Sequence, residues 1–154
     1  MIVMKTFSCA IMGGNLQELP FFADSADSRT KKLKDMIIAH IIKLIVDDGV
    51  TYFMSSMELG AELYAAETVI ALKRWFPDIR LECVFPHETQ AANWPEYYRH
   101  KYYETAANCD KETFITRRLT ENSYEMKDYY LISNADFVLH ITNEAVILTK
   151  LIED

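Results

Sequence analysis

Five short apolar runs punctuate the chain, at residues 6–12, 51–55, 80–85, 111–116 and 137–141, and a stretch of helical character separates each from the next. That alternation constrains the fold more than any other feature. Parallel strands need crossovers long enough to carry a helix, so the pattern predicts a parallel sheet with helices on both faces. Apart from the weaker fourth, KETFIT, the runs are almost continuously apolar, as TFSCAIM and FVLHI illustrate. Strands buried on both faces read this way, whereas half-exposed ones alternate.

The clearest helix carries Leu33, Met36, Ile37, His40, Ile41, Leu44 and Ile45 at steps of three and four, one apolar stripe. His40 is therefore expected to face inward beside Met36, Ile37, Ile41 and Leu44, away from any binding site. Ser28 or Thr30 is placed to cap the start and Gly49 to end the helix. Further helices are expected over residues 59–76, closed by Pro77, and over residues 94–108, 123–133 and 145–152. Residues 15–28 read as a loop. The expectation is α/β: a Rossmann-like three-layer α/β/α sandwich with a mainly parallel five-stranded sheet, the first strand central. With 154 residues and neither repeat nor linker, residues 1–154 are expected to form a single domain.

The net charge is −7, from 23 acidic against 16 basic residues. Nucleic-acid binding rests on neutralising phosphates, so this balance argues against it. Cys9, Cys83 and Cys109 form no CxxC pair, and Cys9 and Cys83 fall inside strand-like runs. They read as small buried hydrophobes in a reducing compartment. No apolar run approaches the roughly 20 residues of a membrane span, and residues 1–5 lack the basic start of a signal peptide. A cytoplasmic protein is expected, with no membrane partner, no metal site and no cofactor. Homo-oligomer formation is left open.

In a parallel sheet, ligands bind beyond the carboxyl ends of the strands. Three loops fall there: Gly13-Gly14-Asn15-Leu16, the Ser55-Ser56 turn running on to Gly60, and Pro86 to Gln90. Each precedes a helix, whose free N–H groups suit an anion. Neither GxGxxG nor GxxxxGK[ST] is present, so the glycines alone indicate only a turn. Glu58 and Glu62 share one helical face, where acids favour the helix dipole or accept hydrogen bonds from ligand hydroxyls. His87 is a better functional candidate than His40.

Together these loops resemble the YpsA-like branch of the SLOG superfamily, related to the LOG "lysine decarboxylase-like" proteins and the DprA core. GGNLQELP at residues 13–20 lines up with that family's GHRPxxLP. FMSSMELGAELYAAE at residues 53–67 resembles its SGMALGVDLWAAE. Pro86, Gln90 and Trp94 match its P…Q…W spacing, and Lys127-Asp128, ahead of Asp136 in Ser133-Asn-Ala-Asp136, stands where it carries Arg-Asn ahead of SD. The departures are pointed. Gly14 and Asn15 replace His and Arg, Ser56 replaces Gly, Glu62 replaces Asp, and TNEAVI follows the last strand where the family has Gly-Gly-Thr.

The resemblance implies a module that binds a small nucleotide-type ligand for sensing or regulation, with a degenerate phosphate site. Gly13, Gly14, Asn15, Ser55, Ser56, Gly60 and Glu62 would converge on one pocket, and Lys127 would supply positive charge in place of the family's arginine. The LOG relatives imply an alternative, hydrolysis of a nucleotide N-glycosidic bond with Glu67 assisting water. The absence of their PGGxGTxxE motif speaks against it. A third reading is a ligand-free interaction protein on the same fold.

Overall fold

The computed structural model describes residues 6–152. Residues 1–5, read above for a signal peptide, and residues 153–154 lie outside the described residues. The chain runs β1 (Phe7–Gly13), α1 (Ser28–Val46), β2 (Val50–Ser55), α2 (Ala61–Leu72) and β3 (Arg80–Phe85). It continues through α3 (Glu96–Ala107), β4 (Lys111–Phe114), α4 (Ser123–Ser133), β5 (Phe137–Ile141) and β6 (Val146–Lys150). The strand order is β4-β3-β2-β1-β5-β6. From β1 the chain steps outward to β4, then crosses back so that β5 lies on the other side of β1. The order of connection thus reverses at β1, the central position expected of the first strand. This is a Rossmann-like α/β sandwich.

Two expectations are corrected. Among the described residues the sheet has six strands rather than five, and where a helix is expected over residues 145–152 the chain forms β6, antiparallel to β5 with Ile141 opposite Val146. The turn between them is held by Thr142, whose Oγ1 donates to the Ala145 carbonyl at 2.9 Å and accepts from the Ala145 N–H at 3.0 Å. Val, Ile and Thr dominate β6, and their branched side chains suit a pleated surface. The layers are also unequal. Side chains of Cys9, Ile11, Phe53, Leu81, Cys83 and Leu139 pack into the larger core with α1 and α2, whereas Ala10, Met54 and Val84 on the other face meet Leu131 of α4.

Helix α1 buries Thr30, Leu33, Ile37, Ile41 and Leu44, whereas Met36, His40 and Ile45 of the expected stripe are half-buried at its margins. His40 is only half-buried, with Nδ1 2.8 Å from the Met36 carbonyl of its own helix, so it borders the core rather than facing into it. The N-cap is neither Ser28 nor Thr30 but Asp27, whose carboxylate accepts from the Arg29 N–H at 2.8 Å. Thr30 instead donates to the Phe21 carbonyl at 2.7 Å, which ties a 3-10 turn at Pro20–Ala23 to the helix. Helix α2 is buried nearly all round, because α1 and α3 flank it and the sheet lies beneath. Among the described residues no helix is long and apolar enough to cross a membrane.

Candidate functional site

The loops after β1 and β2 are bonded to each other. Asn15 and Gly60 form an antiparallel bridge, and the Leu16 N–H donates to the Leu59 carbonyl at 3.1 Å. The Gly14 carbonyl accepts from the Ala61 N–H, the first of α2, at 2.8 Å. The N–H groups of Leu63 and Tyr64 are taken by the carbonyls of Glu58 and Gly60. A helix N-terminus attracts phosphate through free N–H groups, and here the chain's own backbone occupies two of them, at Ala61 and Leu63, while the Tyr64 bond is the first of the helix's own ladder. The glycines serve close packing: a Cβ on Gly14 would meet the Ala61 Cβ at 2.6 Å, and one on Gly13 the Ile141 carbonyl at 2.5 Å.

Ser55, Ser56 and Glu62 meet beneath this junction. Ser55 Oγ donates to the Glu62 carbonyl at 3.1 Å and accepts from the Met57 N–H at 3.1 Å. Ser56 Oγ donates to Glu62 Oε1 at 2.6 Å. Both serines are fully buried. Met57, at the turn, adopts a left-handed φ of 62° that a side-chain-bearing residue rarely accepts. Burial pushes the Glu62 carboxyl up to about 8, with Lys127 pulling the other way and Glu58 adding to the rise. Burial works against the charge on Lys127, but Glu62, Asp128 and Glu58 more than offset it and hold its pKa above the ordinary lysine value.

The Glu62 shift has a consequence for stability. The unfolded chain releases this proton near 4.5, while the folded chain keeps it to about 8. Between those values the folded state binds the extra proton, so stability falls as pH rises. Glu62→Gln is expected to flatten that decline, gaining on the parent protein steadily from about pH 5 to pH 8. Urea unfolding at several pH values reads this directly. Parallel pH dependences for the two proteins would place the titration elsewhere.

Above the junction lies an open crevice of about 440 Å³. Every part of its wall follows a strand: Asn15, Leu16 and Gln17 after β1, Glu58 and Leu59 after β2, Gln90 and Trp94 after β3, and Tyr124 at the start of α4. Asn15 Nδ2 donates to Glu58 Oε1 at 3.3 Å, which fixes one wall. Gln90 Nε2 donates to the Ser56 carbonyl at 3.0 Å, which fixes the amide's orientation. Its Oε1 is buried without a partner. Trp94 packs edge-on against Tyr102 with ring centroids 5.0 Å apart, and His87 does so against Tyr124 at 6.0 Å. Burial lowers the His87 pKa, favouring the neutral ring.

Of the residues expected to converge on one pocket with Lys127, only Asn15 lines this crevice. Gly13, Gly14, Ser55, Ser56, Gly60 and Glu62 form the footing under it: Gly14, Ser55, Ser56 and Glu62 are buried, while Gly13 and Gly60 are half-buried and Gly60 lines a different cavity. Lys127 is also buried; its Nζ lies 2.6 Å from Asp128 and 5.7 Å from the Tyr124 ring centre, behind the wall. Glu67 faces a different cavity, 3.6 Å from Lys101. Asp136 holds the opposite end of the sheet, accepting from the Ser8 N–H at 2.9 Å. Tyr124 carried no signal in the sequence. Glu58, Gln90 and Trp94 did, through the dipole argument and the P…Q…W spacing.

The YpsA model, that of the YspA SLOG family, matches residues 9–147, from β1 into β6. A UPF0398 protein of Listeria innocua is 36% identical over 134 residues, covering 86% of this chain and 72% of that protein. Another, of Halalkalibacterium halodurans, is 35% identical over 105 residues, 67% of this chain and 56% of its own length. A third, of Lysinibacillus sphaericus, is 31% identical over 105 residues and is covered over 59% of its length. The last two are thus matched over little more than half their length. With the reversal of strand order at β1, the bonded glycine loops and a match over nearly the whole chain, this protein belongs to the YspA SLOG family.

Proposed function

We propose that the protein is a sensing or regulatory module that binds the nucleoside portion of a nucleotide-derived ligand in the crevice beyond β1, β2 and β3. The observation that carries this reading is the pairing of aromatic walls with amide and carboxylate groups. Trp94 and Tyr124 offer ring faces and edges to a base, and Asn15, Gln90 and Glu58 stand beside them to exchange hydrogen bonds with its edge or with ribose hydroxyls. Stacking on aromatic side chains contributes about 1–3 kcal/mol per base. Phosphate is gripped poorly. Glu58 brings negative charge, two amides at the start of α2 are engaged by the chain's own carbonyls, and the β5–β6 turn stands where the family has Gly-Gly-Thr. The protein acts in the cytoplasm, where its three free thiols stay reduced.

A thermal-shift panel of adenosine, AMP, ADP-ribose and NAD tests the reading, since a ligand of the native state must raise the melting temperature. Adenosine and AMP are expected to stabilise to a similar degree. Trp94→Ala should weaken both about ten-fold or more, as loss of one stacked base implies. No response to any of the four would favour the interaction-protein alternative. Release of free base, abolished by Glu67→Gln, would favour the hydrolase.

A further inference from the structure

A second cavity, of about 290 Å³, opens on the other side of Leu16 and Leu59, enclosed by the 3-10 turn, α1, α2 and α3. Its chemistry is opposite to that of the crevice. Lys34 Nζ lies 4.9 Å from the ring centre of Tyr64 and 5.7 Å from that of Phe22. No ion pair engages it among the described residues, so its ammonium keeps donors for a guest. Lys101 Nζ lies 5.1 Å from the ring centre of Tyr97 and 3.6 Å from Glu67 Oε2. Two ammonium groups and one carboxylate leave the cavity locally cationic, within a chain whose net charge is −7.

These features select a guest by charge, shape and size. One negative charge balances two lysines and Glu67. A phosphate monoester, at about −1.5 to −2, overshoots that balance and repels Glu67. Tyr64, Tyr97 and Phe22 favour a flat, polarisable body over a branched one. The volume lies at the lower edge of ligand pockets, about 300 Å³, which suits one ring and not a dinucleotide. Burial raises the Glu67 pKa, and Lys101 and Lys34 both oppose that rise, so the two ammonium groups share one cavity with this carboxylate. We infer that this cavity is a second binding site, for a small planar monoanion, an aromatic carboxylate whose acid group lies between Lys34 and Lys101 and whose ring rests on Tyr64 and Tyr97.

The test uses benzoate as a minimal probe, followed in amide-resolved NMR spectra of the whole chain. Saturable shifts are expected on α1, α2 and α3 around Lys34, Tyr64, Tyr97 and Lys101, with little change at Gln90 and Trp94. Lys34→Gln should weaken benzoate about ten-fold, the loss of one charge-assisted contact, while leaving the melting temperature nearly unchanged. Cyclohexanecarboxylate, with the same charge and no flat ring, should bind more weakly than benzoate. Equal competition by inorganic phosphate, shifts confined to the crevice, or unchanged affinity in Lys34→Gln would each overturn the assignment. The crevice reading is separable: Trp94→Ala should lose adenosine and keep benzoate.

Discussion

Replacing Gly60 by alanine is expected to cost about 2–5 kcal/mol of stability, the sum of backbone strain and overpacking. Gly60 has φ of 128° and ψ of −134°, a conformation open to glycine alone. A Cβ there would stand 2.5 Å from the Gly14 carbonyl and 3.1 Å from the Asn15 Cα. Both obstacles are backbone, and neither can rotate away. Moving them breaks the bonds that join the two loops and start α2. Gly49→Ala is the control: φ is also positive, at 69°, but the nearest atom to its Cβ would be a ring carbon of Phe7 at 3.6 Å. It should cost only about 1 kcal/mol, the strain without the collision. Denaturant unfolding of the two variants separates the terms. Equal losses would show that φ alone matters and that the loop junction carries no further stability.

The junction was half legible in the sequence. Gly13-Gly14 and Gly60 after apolar runs announced turns at the carboxyl ends of neighbouring strands, and parallel pairing put them on one edge. What the sequence does not display is where backbone groups go. The Gly14 carbonyl accepting from the Ala61 N–H involves no side chain, yet it turns a ready anion site into an internal contact. Ser55, Ser56 and Glu62 carried the chemistry expected of ligand contacts. They satisfy one another instead and support the floor, while Gln90, Trp94 and Tyr124 form the walls.

The fold itself was more legible, and its misreadings have specific causes. Strands β1, β2, β3 and β5 are short and largely apolar, and Gly or Pro punctuation bounds several of them, whereas β4, KETF, is mostly polar and exposed. The run AVILTKLI at residues 145–152 offered eight residues without a clear period, and in such a run helix and strand differ only in their taste for branched side chains. Pairing with the free edge of β5 decided the outcome. His40 fell at the rim of its stripe because the buried row follows Leu33, Ile37, Ile41 and Leu44, and a wide stripe always has such margins.

Glu82 lies within the strand-like run at residues 80–85, and its removal should have the other large effect, about 3–5 kcal/mol for Glu82→Ala. On β3 its side chain lies on the α4 side of the sheet, 2% exposed, and accepts three hydrogen bonds. Tyr52 of β2 donates at 2.5 Å, Thr113 of β4 at 2.6 Å and Tyr130 of α4 at 2.6 Å. Each bond to a charged acceptor contributes about 1.5–3 kcal/mol, and the cost of burying the carboxylate keeps the total below their sum. Burial, then the neighbouring Glu82, push the Tyr52 and Tyr130 hydroxyls up, so both stay protonated donors. Glu82→Gln keeps one acceptor and should lose less than alanine; Tyr52→Phe and Tyr130→Phe should each lose about 1–2 kcal/mol. In the Glu82→Ala background either phenylalanine should cost much less, since its partner has gone. Additive losses would mean that these hydroxyls do not depend on Glu82. The effect should reach the crevice as well. Through Tyr130 the carboxylate anchors α4, the helix that begins at Ser123 and carries Tyr124 and Lys127. At a temperature where Glu82→Ala remains folded, adenosine should therefore bind it less tightly than the parent protein, although Glu82 itself lies outside the crevice.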